Sequence, residues 1–340
     1  MWRAIHRPQV SLLRQQFERL VGNGVAKKMI AFGPVPSRRL GRSLGINNIP
    51  PKVCTYACVY CQVGKTTRKQ VDRTGFYDPE EIYIQVRSKV EKAQHQGESI
   101  DYLTFVPDGE PTLDINLGNE IEVLKSLGIK IAVITNGALA WRKDVRADLE
   151  KADWVSIKID STIEKTWRRI NRPQRKLKPE AVWEGMREFA DGYSGTLVTE
   201  TMLVAGFNDS TKSFRKIADF LNLIQPVKAY LAVPTRPPAQ KGVRAPDANV
   251  LNEAFQILDE KPFEVEYLIG YEGNTFAFTG DAEADLLSIT AVHPMRQDAV
   301  TEFLMRAGAH WQIVDKLMAQ ALLAETKYGE HKFYIRTVNR

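Results

Sequence analysis

Cys54, Cys58 and Cys61 are the three cysteines of the 340-residue chain, and all lie in the eight-residue stretch Cys54-Thr-Tyr-Ala-Cys58-Val-Tyr-Cys61. An odd number packed this tightly is not a disulfide framework, which uses paired cysteines spread along the chain. Three thiolates on one loop suit a metal centre. A structural zinc ordinarily takes four protein ligands. The histidines nearest in sequence, His6 and His95, are both remote from the loop. A 4Fe–4S cluster held by three cysteines would instead leave one iron open to an exogenous ligand. Zinc and inert thiols stay as alternatives at this point.

The elements around this loop read as alternating strands and helices. Ser43 to Ile49 is a first strand, preceded by Arg38, Arg39 and Arg42. Asp78-Pro79-Glu80-Glu81 opens a helix to about Gln96, with an N-cap, a proline at the first position and an early acid. Further strands fall at 100–106, 130–134, 154–159, 196–204 and 227–233, with helices at 116–127, 141–151, 178–190 and up to 224. Polar motifs follow the strands: Asp108-Gly109-Glu110-Pro111, Thr135-Asn136-Gly137, and Asp160 just beyond Lys158. Glu200 falls in mid-strand, where an inward carboxylate needs a partner. The alternation implies a parallel β/α architecture, and six strands are too few for an eight-fold barrel.

The flanks read differently. Residues 1–28 are an Arg-rich N-terminal extension that could form an amphipathic helix through Val10, Leu12, Leu13, Phe17, Leu20 and Val21. Organelle transit peptides share this composition; the reading taken here is a dispensable or lightly docked extension. The core spans 29–238, and Thr235-Arg236-Pro237-Pro238 ends it. Residues 239–280 form a linker and flanking segment with a helix to about Glu260 and a short strand at 263–267. Residues 281–340 hold three helices and a hairpin turning at Gly329, which resembles a winged-helix domain. That segment carries seven Lys or Arg against eight acids, and Lys316 of its presumed recognition helix is offset by Asp315. The balance speaks against duplex-DNA binding. Apolar content of 44% and charged content of 26% belong to a globular protein. The sequence has no apolar run of about 18 residues, so no membrane span is expected. Reduced thiols place the chain in the cytoplasm.

The spacing C-x3-C-x2-C, with Tyr60 before the third cysteine, resembles the radical S-adenosylmethionine (SAM) superfamily. That resemblance implies an α/β fold built on a partial (β/α)6 TIM-type barrel of parallel strands, with the site at the strands' C-terminal ends. It implies a 4Fe–4S cluster on Cys54, Cys58 and Cys61, with SAM on the open iron. Reductive cleavage of SAM would give a 5′-deoxyadenosyl radical that takes hydrogen from a substrate. An external one-electron donor, flavodoxin- or ferredoxin-like, would be a partner. The family's Gly-Gly-Glu-type motif corresponds to Asp108-Gly109-Glu110, with Asp for the first glycine. Glu110 would accept from the SAM ammonium, and Gly109 would allow close backbone approach. Asn136 would bond the SAM carboxylate or ribose, and Asp160 the ribose hydroxyls.

The stretch from Gly33 to Gly45 before these cysteines is similar to uncharacterised Fe–S oxidoreductases related to wyosine-forming tRNA-modifying enzymes. Those enzymes hold a second cluster on further cysteines, which this chain lacks, so their substrate is not carried over. Residues 1–75 contain fourteen Lys or Arg against Glu18 and Asp72, in a chain of net charge +6. The run Lys165 to Lys178 is also basic, places Trp167 as a stacking surface and is expected at the barrel mouth with Arg236. These features point to an anionic substrate, RNA or another phosphate-bearing molecule. A protein or peptide met by the C-terminal domain comes second. The rival from another class is an Fe–S or zinc regulator whose winged-helix-like domain binds DNA or a protein.

Overall fold

The structure, a computed structural model, describes residues 30–270 and 273–337; the extension expected over 1–28 lies outside the described residues. The strands are β1 (Ala31–Ser37), β2 (Gly41–Ile46), β3 (Val53–Cys54), β4 (Arg68–Lys69), β5 (Tyr102–Phe105), β6 (Lys130–Thr135), β7 (Trp154–Lys158), β8 (Thr196–Met202), β9 (Lys228–Ala232), β10 (Glu264–Leu268), β11 (Met295–Arg296), β12 (Leu323–Tyr328) and β13 (His331–Arg336). The helices are α1 (Pro79–His95), α2 (Leu117–Lys125), α3 (Lys143–Leu149), α4 (Glu164–Ile170), α5 (Pro179–Gly192), α6 (Thr211–Ile224), α7 (Ala248–Asp259), α8 (Ala282–Val292), α9 (Gln297–Arg306) and α10 (Gln312–Ala319).

Eight strands form one sheet in the order β1-β2-β5-β6-β7-β8-β9-β10. Every neighbouring pair is parallel except β1 and β2. This is an α/β fold with a mostly parallel sheet, consistent with a partial barrel. The period-two alternation of the strands sorts their side chains. Ile131 and Val133 of β6, and Ala229 and Leu231 of β9, join the main core with the helices. Ala132, Val198, Tyr230 and Ala232 pack on the opposite face with Val59 and Tyr60 of the cysteine loop. The same parity puts Lys158 and Glu200 on that inner face, and they are register partners in β7 and β8. Asp78 caps α1 as expected, its side chain accepting from Glu80 N at 2.9 Å.

The sheet exceeds the six strands read from sequence at both ends. The short strand placed in the flanking segment is β10, a seventh parallel strand beside β9. β1 covers Gly33-Pro-Val-Pro, which reads as turn-like because each proline removes a ladder donor. It survives at the sheet edge with a register irregularity between Phe32 and Val35. Gly45 lets the Phe32 ring lie across β2: a Cβ there would sit 2.0 Å from the ring.

The C-terminal segment holds α8, α9 and α10 with a three-stranded sheet ordered β11-β13-β12. It shares a core with the edge of the large sheet, where Phe32 and Val35 of β1 pack with Phe276, Leu286, Ile289 and Phe303. Lys89 of α1 pairs with buried Asp285, which also accepts from Thr279 N at 2.7 Å. Arg306 pairs with Glu98 at 2.7 Å, and Tyr328 Oη donates to Pro234 O at 3.1 Å. No helix among the described residues is long and apolar enough to cross a membrane.

Candidate active site

The three cysteines line one cavity of about 270 Å³ at the C-terminal ends of the strands. Gly109, Glu110, Asn136 and Tyr60 line it too, as do Lys158, Glu200 and Arg236. The cysteine loop is held from two sides. Toward β5, Lys52 N donates to Asp108 O at 2.6 Å and Glu110 N to Val53 O at 3.1 Å. Toward α4, Ala57 N donates to Asn171 O at 3.0 Å and Val59 N to Ile170 O at 2.9 Å.

Gly109 sits where that first junction closes. A Cβ on it would lie 2.0 Å from Val53 O and 2.7 Å from Ile49 Cδ1. The glycine is thus required by the strand that carries Cys54. Gly109→Ala is expected to displace Val53–Cys54 at a cost of about 1–3 kcal/mol, the usual range for overpacking. Iron content after anaerobic reconstitution should fall with stability; wild-type iron content and melting temperature would refute this.

Glu110 is 1% exposed. Its Oε1 accepts from Thr112 N at 3.1 Å, Thr112 Oγ1 at 2.6 Å and Thr135 Oγ1 at 2.6 Å; its Oε2 accepts from Asn136 N at 2.8 Å. Burial pushes its pKa up while these donors pull it down. Among the described residues no basic side chain forms a salt bridge to it, so the buried charge is met by neutral donors alone. Asp108, in place of the family's first glycine, is buried and paired with Lys52 at 2.6 Å. Burial raises its carboxyl to about 7 against the opposing pull of Lys52. Lys52, which sequence reading passed over, is a cavity-lining cation with φ of 64°.

Asn136 turns its amide onto the cysteine loop, with Nδ2 2.8 Å from Thr55 Oγ1 and 3.5 Å from Cys54 Sγ. Tyr60 lies under the ammonium of Lys158, 5.6 Å from its ring centroid, and its hydroxyl donates to Asp160 Oδ2. Asp160 is not among the lining residues. It is buried, and its remaining partners are Asn171 Nδ2 at 2.5 Å on Oδ2 and Met202 N at 2.9 Å on Oδ1. Both oxygens are therefore used inside the protein. Glu200 has the partners its mid-strand position demanded: Arg39 on Oε2 and Lys158 on Oε1.

The basic run from Lys165 to Lys178 lies elsewhere than expected. None of its residues lines the cavity. Trp167 is 3% exposed, makes edge contacts with Tyr56 and Trp183, and donates Nε1–H to Tyr56 Oη at 3.2 Å. It is a core residue and offers no stacking surface. Arg168 pairs with Glu164, and Arg169 donates to Gly206 O at 3.0 Å. Arg42 is likewise turned to Glu98, away from the cavity. The cations at the cavity are Arg38, Arg39, Lys52, Lys158 and Arg236.

The donor set fits an iron–sulfur cluster. Burial pushes all three thiols above their ordinary range, Cys58 to about 12 with Asp160 adding to the effect. A metal centre deprotonates a coordinating thiol outright, which would offset that burial. Among the described residues no three His, Cys, Asp or Glu side chains meet as ligands of a single ion. A cluster puts each cysteine on a different iron, so its ligands need not converge on one point. Glu110, a buried carboxylate without a countercharge, fits the ammonium of an amino-acid moiety.

Fold and site together define a cysteine-loop α/β enzyme with a cluster-type donor set facing a carboxylate. The radical SAM superfamily model matches residues 48–221, and the chain belongs to that superfamily. It is a radical SAM enzyme, with a 4Fe–4S cluster and SAM as its cofactors. It is 46% identical over 311 residues to UPF0026 protein MJ1312 of Methanocaldococcus jannaschii, covering 91% of this chain and 96% of that one. It is 34% identical over 215 residues to a Brachyspira hyodysenteriae protein named GTPase Obg, covering 63% of this chain and 31% of that relative's length. Among solved structures, TYW1 with a lysine-pyruvate adduct bound aligns at a TM-score of 0.47 and 17% identity, over 75% of this chain and 90% of that one.

Proposed function

We propose that the enzyme cleaves SAM reductively and acts on an anionic substrate, an RNA or other phosphate-bearing molecule. The observation that carries this reading is the meeting of Cys54, Cys58 and Cys61 with Glu110 on one cavity. The three cysteines hold the cluster, and Glu110 Oε2, with one protein donor on it, accepts from the SAM ammonium. When bound, the cluster held by these cysteines would supply one electron, received from the external donor, for reductive cleavage of SAM and hydrogen abstraction from the substrate. Gly109 keeps the backbone close to the cysteine strand. Asn136 orients the cysteine loop and presents the end of β6 to the SAM carboxylate or ribose. Tyr60 walls the cavity, and Asp160 acts through it as a positioning residue instead of meeting ribose directly.

The anionic substrate is favoured by charge: Arg38, Arg39, Lys52, Lys158 and Arg236 outnumber Asp108, Glu110 and Glu200 at the cavity. The electron comes from a flavodoxin- or ferredoxin-like donor in the cytoplasm. The C-terminal segment is read as winged-helix-like, here capping the barrel edge, with a protein or peptide as its secondary contact. Lys316 on α10 is paired with Glu283 at 2.7 Å, which disfavours a DNA-reading role.

Anaerobic reconstitution with iron and sulfide, followed by dithionite and SAM, tests the reading. The expected product is 5′-deoxyadenosine, abolished in Cys58→Ala. A fully loaded cluster that yields none, with candidate RNA present, would overturn it.

A further inference from the structure

Asn171 forms the C-cap of α4, beside the cysteine loop, and its side chain plays no part in the reading above. It is 2% exposed. Its Nδ2 donates to Asp160 Oδ2 at 2.5 Å and to Cys58 Sγ at 3.5 Å. Asparagine amides can ordinarily be flipped without changing their shape. Here a flip would set Oδ1 against a carboxylate oxygen, so Asp160 fixes the orientation. Oδ1 itself is buried without a partner, so the donor side alone sets the orientation. The backbone bonds on either side of Cys58, from Ala57 and Val59 to the end of α4, hold sulfur and amide in register.

An N–H donor stabilises negative charge on a ligating sulfur, and hydrogen bonds to sulfur are among the determinants of cluster potential. We infer that Asn171 is a positioning residue that makes the cluster easier to reduce, by donating its amide to Cys58 Sγ while Asp160 holds that amide in place. The inference rests on Cys58 being a cluster ligand. Asn136 makes a comparable contact to Cys54 Sγ at 3.5 Å, but Thr55 Oγ1 shares its Nδ2. No carboxylate locks it.

The test is a redox titration of the reconstituted cluster by electron paramagnetic resonance, without SAM, in wild type, Asn171→Ser and Asn171→Gln. In N171S the reduced-to-oxidised ratio at a fixed potential should fall about tenfold, equivalent to about 59 mV for one electron. N171Q, which keeps an amide, should lie nearer wild type. Equal potentials in N171S and wild type overturn the inference. A second measurement reads the contact itself. Protein labelled with 15N-asparagine should show a nitrogen coupling to the reduced cluster that is lost in N171S; no coupling, or the same couplings in both proteins, overturns the inference. A wild-type protein that assembles no cluster overturns the functional reading along with it, so the two failures are told apart.

Discussion

Glu110→Gln is expected to weaken SAM binding about a hundredfold while iron and sulfide content stay at the wild-type level. The carboxylate is buried, its Oε1 takes three donors and its Oε2 takes Asn136 N. Glutamine keeps the volume and removes the charge. Its NH2 group must replace one oxygen, and at either place it meets a donor. The least crowded place is that of Oε2, so the amide would turn N–H groups toward the ligand's ammonium. Losing one partner of a buried charged hydrogen bond costs about 2–5 kcal/mol, and about 2.7 kcal/mol is a hundredfold in affinity. After burial, the Glu110 charge is what pushes the Cys54 thiol up, so removing it eases thiolate formation and the cluster should still load. Burial raises the Glu110 pKa, and only the ionised form accepts from an ammonium. Affinity should therefore fall as pH falls through that raised value, and the variant should lose this dependence. Anaerobic titration calorimetry decides: wild-type affinity in a loaded E110Q would remove Glu110 from this role.

What the sequence reveals here is what depends on short spacing. The cysteine triplet, Asp108-Gly109-Glu110 after β5 and Asn136 after β6 reach one cavity because parallel strands end on the same side. Glu200's need for a partner was legible from its place in a strand. The partner's identity was half legible, since register brings Lys158 alongside but the β1–β2 turn brings Arg39. The misplaced features depend on distant packing. The basic run contains α4, and its charges conceal an apolar side made by Trp167 and Ile170, which pack beneath the cysteine loop. Asp160 follows a strand as a ligand-binding carboxylate would, yet Tyr60, Asn171 and Met202 consume its oxygens. Asn171 carried no signal: a single asparagine among arginines gains meaning only when the chain folds it against Cys58. β1 was obscured by its prolines, tolerable there because the sheet ends at that strand and the C-terminal core covers it.

Glu200→Ala should be the most destabilising substitution at the cavity, at about 3–5 kcal/mol, because it leaves two cations partly buried without their counterion. The Glu200 side chain is 6% exposed, Arg39 14% and Lys158 25%. Burial alone would raise the glutamate's pKa; Lys158 and then Arg39 outweigh it and bring the carboxyl to about 2. The folded value thus lies below the unfolded value of about 4.3, so the carboxylate's stabilisation is present above that pH and lost as pH falls toward 2. Urea denaturation at pH 7 and at steps down to pH 2 tests both. Wild type should lose stability across the acid window, and the E200A curve should be lower at pH 7 and flatter below pH 4. Parallel curves of equal height would mean that the triad stores no such energy. If it does, the same variant frees Arg39 and Lys158 toward the cavity, and inorganic phosphate should protect E200A against urea more than it protects wild type. Glu200 would then have a second consequence, setting how much of the cavity's positive charge is open to an anion.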